Sequence, residues 1–178
     1  METGGHPDFG VCAAVDVHYL STGGARAAAV LAADAAFAHV LAERTALVPR
    51  GTALPAGPVL PARTPAAARG PGRPEQAGPA GGHGYADLDP GGRPGLGAHA
   101  HAEFGIPVIG VAKSRFGTAT RAVPVVRGSS APPLFITAAG MPSAEAADLV
   151  RRMTGQYRLP DALRRADTLA RAGPPVAP

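Results

Sequence analysis

Two charged residues stand at the ends of apolar segments, where a folded chain can hold them rigidly. Asp16 lies near the end of the run Gly10 to Leu20, and Lys113 ends the run IPVIGVAK. A carboxylate on a rigid element is the oxygen ligand that hard cations prefer, whereas a single strand-end lysine is ordinarily a solvated charge. The lone Cys12 excludes a disulfide framework or a cysteine zinc site within the chain, and we expect a small buried thiol.

The composition indicates one domain. A length of 178 residues is enough for one core and too short for two ordinary domains. Aromatic residues make up only 4% of the chain, so we expect a thin core. The net charge of +4 suits a phosphate-rich partner, although arginine enrichment from a GC-rich gene explains it equally well. No apolar stretch approaches the length of a membrane span and no leader pattern precedes Gly10, so we expect a cytoplasmic protein.

Apolar segments and turns predict a sheet flanked by helices. Gly10 to Leu20 predicts a strand; the next two alanine-rich segments have helix propensity, but the Gly23-Gly24 turn favours a three-strand meander. The further predicted elements are a short helix at 98–104, a buried strand at 106–113, two strands in RAVPVVR and PLFITAAG, a helix capped by Ser143, and a last helix from Pro160 to about Arg171.

Four blocks of the chain resemble consecutive blocks of the endonuclease V family. The blocks are VDVHYL, GHGYADLDPGGRPGLGAHAHAEFGIPVIGVAKSRF, PLFITAAGM and YRLPDALRRAD, and the match covers roughly residues 11–49 and 84–171 in the family's order. The resemblance implies an α/β fold with a ribonuclease H-like mixed sheet flanked by helices, in a single domain over residues 1–172 with a tail at 173–178. It also implies a magnesium-dependent endonuclease that cuts nucleic acid near deoxyinosine or inosine in DNA repair.

The resemblance also assigns catalytic roles to three residues. Asp16 falls on the family's first metal-binding aspartate, and Lys113 falls on the lysine expected to steady the phosphate charge. Asp167 takes the helix position where the family carries a His or Asp that faces the metal or supports its ligands. Without the resemblance, Asp167 would be interpreted as a surface residue.

Five further residues resemble the family's substrate-binding region. They are Gly84, Tyr85, Gly95, Gly97 and His99. Small residues in this loop and helix start let backbone groups approach an extruded base. The competing interpretation is a structural turn followed by a helix-start histidine with ordinary hydrogen-bond partners.

The sequence departs from the family where two acidic residues are expected. His83 stands in place of the aspartate that precedes the Gly-Tyr pair, and Arg63 and Pro65 fall where a glutamate-proline motif is expected. The family's aromatic wedge is also missing. A histidine can bind a metal through nitrogen, but it replaces an anionic oxygen ligand at a Mg²⁺ site. The metal ligands that we expect are therefore Asp16 and His83.

Residues 50–83 have the composition of a GC-rich gene translated out of frame. Ala, Pro, Gly and Arg supply 26 of these 34 residues. Shifting the frame at Arg50, with third bases chosen freely, gives EVPPYRPGPFYRRELPPLLAAL, and Gly78 to Gly82 gives DLLVV, which restores the missing motifs in order. We hypothesise one extra base near Pro49 to Arg50 and one missing base at about His83. The rival explanation is natural decay with a Pro/Gly-rich loop.

Either explanation has structural and functional consequences. We expect a central strand and one helix to be missing or disrupted at about 50–83, that window to be disordered, and neighbouring strand edges to be unpaired. The leading functional hypothesis is an impaired Mg²⁺-dependent endonuclease, monomeric, with inosine-containing DNA or RNA as its partner and no membrane contact. The alternatives are a non-catalytic nucleic-acid-binding pseudoenzyme and an unstable gene-model product without a cellular role.

Overall fold

The computed structural model describes residues 10–49, 66–69, 95–115, 122–129 and 132–172, with the backbone alone in 66–69. These residues form seven strands and three helices. The strands are β1 (Cys12–Tyr19), β2 (Ala25–Ala32), β3 (Val40–Val48), β4 (Ala66–Arg69), β5 (Val108–Ala112), β6 (Val123–Val125) and β7 (Leu134–Ala139), and the helices are α1 (Leu96–Phe104), α2 (Ser143–Arg152) and α3 (Asp161–Ala172). The strands make one mixed sheet in the order β3-β2-β1-β4-β5-β7-β6.

The first three strands form the predicted antiparallel meander. β1 pairs with β2 over eight residues, from Cys12 opposite Ala32 to Tyr19 opposite Ala25. Gly23 and Gly24 both have positive φ angles, which allow the tight turn between the two strands. The alanine-rich segments are strands despite their helix propensity, because cross-strand pairing and burial of alternate residues outweigh a weak local preference.

The centre of the sheet differs from the sequence expectation. β4 lies inside the anomalous window and pairs in parallel with β1 over four residues and with β5 over three. The expectation that the neighbouring edges are unpaired is therefore wrong. Tertiary pairing on both sides provides hydrogen-bond partners for the backbone of AAAR, which has little β-propensity of its own. The rest of residues 50–83, including the alternative-frame strand at 78–82, lies outside the described residues.

The main core lies between one face of the sheet and helices α2 and α3. Along α3 the buried alanines at 162, 166 and 170 recur every fourth residue, so they share one face of the helix. They belong to the same buried cluster as Ala14 of β1 and Ala28 of β2. Small side chains on both sides let α3 approach the sheet closely. Among the residues that the structure describes, Phe37 is the one aromatic side chain of this cluster, as expected for a core poor in large side chains.

The helices follow the sequence prediction with one correction. Ser143 is not the N-cap of α2, because Pro142 takes that position. Ser143 is the first residue of the helix, and no side chain forms a capping hydrogen bond. Pro142 is extended, with φ −62° and ψ 135°, and its carbonyl accepts from the amide of Ala146 at 3.0 Å. The proline ring fixes φ at a value that suits helix entry, which places the cap one residue earlier.

Candidate active site

Asp16 is a buried carboxylate near the carboxyl end of β1. It is 4% exposed and lies opposite Ala28 of β2 and Arg69 of β4 in the strand register. Successive strand residues alternate between faces, so Asp16 shares the face of Cys12 and Ala14, which belong to the core beneath α2 and α3. Burying a carboxylate is costly unless it is paired or binds a cation. Asp16 is a candidate cation ligand because a carboxylate on a rigid strand is the oxygen donor that hard cations prefer.

Two sets of contacts fix how α3 lies along the sheet. Near the middle of α3, Arg165 donates from Nε and Nη2 to the carboxylate of Glu43 on β3, at 2.7 and 2.8 Å. At its end, Arg26 of β2 donates from Nη1 to the carbonyls of Ala170 and Arg171, at 3.3 and 2.9 Å. In the strand register, Arg26 lies beside the carboxyl end of β1. The end of α3 therefore lies at that same edge of the sheet.

Asp167 lies between these two anchor points of α3. It follows the buried Ala166 and is partly exposed, and its carboxylate accepts from Nε of Arg171 at 3.0 Å. Asp16 lies on the sheet face that α3 covers. In the strand register it is opposite Ala28, two residues from Arg26. Asp167 therefore lies on the helix that covers the sheet face of Asp16, and its role at the site stays a prediction.

Lys113 directly follows β5 and is exposed. The register pairs Asp16 with Arg69 and Ala68 with Gly110, so Asp16 is level with a point on β5 two residues before Lys113. The two strands are separated by β4. With ~4.8 Å between neighbouring strands and ~3.3 Å of rise per residue, the Cα atoms of Asp16 and Lys113 are roughly 12 Å apart. Both residues therefore flank the carboxyl edge of the central strands.

Helix α1 carries three of the residues assigned to substrate binding. Gly95 is its N-cap and is buried, Gly97 is buried in its first turn, and His99 is exposed. α1 is joined to β5 by three residues and packs against it, which makes the helix and the strand run in opposite directions. The start of α1 therefore lies toward the strand end that Lys113 follows. Because His99 is exposed, a ligand can reach its side chain there.

Three predicted site residues, His83, Gly84 and Tyr85, lie outside the described residues. Within the described ranges, no three His, Cys, Asp or Glu side chains are close enough to hold a metal ion together. Asp16 and Asp167 are thus at most a pair of acidic donors there. The structure places Asp16 on β1, Asp167 on α3, Lys113 directly after β5 and Gly95 at the start of α1. That these residues form one site with a histidine ligand stays a prediction.

Sequence reasoning missed two arginines that organise this part of the fold. Arg127, just after β6, is 7% exposed and donates to four backbone carbonyls, those of Arg151, Met153, Gly155 and Tyr157. Burial lowers the pKa of the Arg127 guanidinium, and the charge of Asp161 partly offsets that effect. No signal in the sequence marks Arg127, because a charged residue after a strand is usually solvated.

Arg158 is the second missed arginine. It donates from Nη2 to the carbonyl of Lys113 and, at 2.7 Å, to that of Pro133. Arg158 thereby links the end of β5 to the residue that precedes β7. Its place in the block YRLPDALRRAD was the one available signal, since that block is part of the family resemblance.

Solved structures share this fold, whereas no protein-family model and no curated protein matches the sequence. Ciona intestinalis endonuclease V, solved with DNA containing an inosine followed by a ribo-adenosine, superposes with a TM-score of 0.65 at 14% identity over 91% of this chain and 84% of its own. Human ENDOV gives a TM-score of 0.60 at 18% identity, with 94% and 86% coverage. A protein of unknown function from Archaeoglobus fulgidus gives 0.56 at 11% identity, with 92% and 97% coverage. The predicted α/β architecture is confirmed: the chain has the fold of endonuclease V.

Proposed function

We propose that this protein recognises inosine-containing nucleic acid and hydrolyses a phosphodiester bond near the inosine, with Mg²⁺ and at a reduced rate. The observation that carries the proposal is the position of Asp16, a buried carboxylate at the carboxyl edge of the central strands in a fold shared with endonuclease V. The inosine-containing DNA bound by the Ciona protein supports the choice of substrate. A monomer acting in the cytoplasm remains our expectation.

The donor set suits Mg²⁺ but is small. Mg²⁺ is usually bound through one or two carboxylates, with water and substrate phosphates completing its shell. Asp16 would hold the ion directly, Asp167 would assist from α3, and His83 would add a nitrogen donor in place of an acidic oxygen. When bound, the ion supplies positive charge that activates water and neutralises the phosphate. A reduced set of anionic ligands is the reason to expect weak activity.

The remaining steps belong to residues of the chain. Lys113 stands across the edge from Asp16 and would stabilise the negative charge that develops on the phosphate. The gap of roughly 12 Å between these two Cα atoms leaves room for a phosphodiester group. Gly95 and Gly97, buried at the start of α1, would let the backbone approach the base, and the exposed His99 would contact the nucleic acid.

A direct test compares the wild-type chain with Asp16→Asn on a labelled oligonucleotide that carries one inosine. We expect slow cleavage by the wild-type chain with Mg²⁺, none with EDTA, and none by Asp16→Asn. Cleavage by both chains at equal rates would contradict the role of Asp16. The same oligonucleotide without inosine is the control for base recognition.

A binding-only role is the second candidate. It is favoured because His83 and Arg63 stand where the family carries two acidic residues. In that case the chain binds the oligonucleotide in a salt-dependent manner, and cleavage is absent at every Mg²⁺ concentration. Any Mg²⁺-dependent product from the purified wild-type chain excludes this candidate.

A further inference from the structure

We infer that Arg158 is a positioning residue that holds the Lys113 end of β5 in place for phosphate binding; the phosphate part of this inference rests on the proposed function. Arg158 uses one nitrogen, Nη2, to donate both to the carbonyl of Lys113 and to that of Pro133. Lys113 has left the ladder of β5, which ends at Ala112. The Arg158 contact therefore supplies a hydrogen-bond donor to the backbone where the strand pairing stops.

The segment that carries Arg158 is itself held at several points. This α2–α3 loop, residues 153–160, accepts hydrogen bonds from Arg127 at Met153, Gly155 and Tyr157. Thr154 donates from its amide and its hydroxyl to the carbonyl of Ala36, at 2.7 and 2.9 Å. A loop fixed on both sides can transmit a defined position to the side chain that it presents.

Arg158 is held at its Nη2 end, whereas its buried Nε has no hydrogen-bond partner in the described part of the chain. An unsatisfied buried donor disfavours the folded state. Arg158 therefore stays where it is because of the two carbonyl contacts that its other end makes.

The same loop also leads into α3. The amide of Asp161 donates to the carbonyl of Thr154 at 3.0 Å, so the helix that carries Asp167 starts from the segment that reaches Lys113. Arg158 thus connects the strand end at Lys113 to the loop from which α3 starts. Displacing Arg158 should therefore affect Lys113 first, while α3 keeps its own anchors at Glu43 and Arg26.

A double-mutant cycle in binding tests this inference. Affinity for the inosine oligonucleotide is measured by fluorescence anisotropy, without Mg²⁺ and over a range of salt, for the wild type, Arg158→Ala, Lys113→Ala and the double variant. We expect each single variant to lose roughly three- to tenfold in affinity and the salt slope to flatten by up to about one phosphate contact. In the Lys113→Ala background, Arg158→Ala should change affinity less than twofold.

A matched control is Arg152→Ala, which removes an exposed positive charge at the end of α2 without touching the Lys113 strand end. Additive losses in the cycle, or wild-type affinity of Arg158→Ala, would overturn the inference. Hydrogen exchange of residues 111–115 supplies a readout without nucleic acid: it should rise in Arg158→Ala and stay unchanged in Arg152→Ala. Unchanged exchange in Arg158→Ala refutes the positioning role, whereas a wild-type chain that binds no oligonucleotide refutes the proposed function instead.

Discussion

Replacing the buried Arg127 by methionine should destabilise the fold strongly. The guanidinium donates to the carbonyls of Met153, Gly155 and Tyr157, the last two at 3.1 Å, and to Arg151 at the limit of 3.5 Å. A hydrogen bond with a charged partner contributes ~1.5–3 kcal/mol net, and a buried acceptor left without a donor costs ~1–3 kcal/mol.

Desolvation limits that contribution. Burial lowers the pKa of Arg127, which shows that the protein environment disfavours the charge. Losing the guanidinium nevertheless leaves several buried carbonyls without a donor, at a total cost on the order of 3–5 kcal/mol. We therefore expect Arg127→Met to lower the free energy of unfolding by about that amount, a large part of the ~5–15 kcal/mol typical of a domain, and to lower Tm by roughly 10 °C.

Urea unfolding followed by circular dichroism measures the effect. The matched control is Arg151→Met, whose guanidinium is 46% exposed and pairs with Asp148 on the same helix, so its loss should be within ~0.5 kcal/mol. A loss below ~1 kcal/mol for Arg127→Met would mean that water or neighbouring donors satisfy the carbonyls, and it would refute the stabilising role of Arg127.

Three further predictions concern backbone strain, an ion pair and the gene. Gly128 and Gly105 both have positive φ, 61° and 65°, but a Cβ added at Gly128 would lie 2.3 Å from the Gln156 carbonyl oxygen, whereas one added at Gly105 would meet no atom within 4 Å. Gly105→Ala should therefore lower the free energy of unfolding by ~1 kcal/mol, and Gly128→Ala by a further ~1–3 kcal/mol. Urea unfolding measures both losses, and equal losses would contradict this difference. The hydrogen bond from Arg165 holds the pKa of Glu43 below its usual 4.5, so the pair stabilises the fold above pH 4.5 and this effect is lost as the pH falls through the lowered pKa. Glu43→Gln should therefore lower the free energy of unfolding by ~0.5 kcal/mol at neutral pH and leave it unchanged in strong acid. An equal effect at both pH values would contradict this prediction. Sequencing the gene across codons 49–83 should reveal one extra base near the start and one missing base near the end, and confirmation of every printed codon would favour natural decay instead.

Much of the fold could be predicted from the sequence. The β1–β3 meander followed from short apolar segments and the Gly23-Gly24 turn, and both were stronger guides than alanine's helix propensity. β4 could not be predicted, because AAAR has no strand signature and owes its place to the strands on either side. The Ser143 cap was wrong because the sequence pattern did not weigh the proline directly before it.

The candidate site was predicted only in part. Asp16, Lys113 and Asp167 were assigned through the family resemblance, and their common role at one site stays a prediction. Arg127 and Arg158 were not found, because their partners are backbone carbonyls far away in sequence. Side chains that bond to the backbone leave no pairing pattern for sequence analysis to detect. His83 lies outside the described residues and stays a prediction.

The role of Asp16 can be tested by Mg²⁺-dependent cleavage of an inosine oligonucleotide by the wild-type chain and Asp16→Asn, with binding measured in parallel. We expect slow cleavage that requires both Mg²⁺ and Asp16, while Asp16→Asn still binds. Cleavage that is indifferent to Asp16→Asn, or a wild-type chain that neither binds nor cleaves inosine-containing nucleic acid, would contradict this expectation.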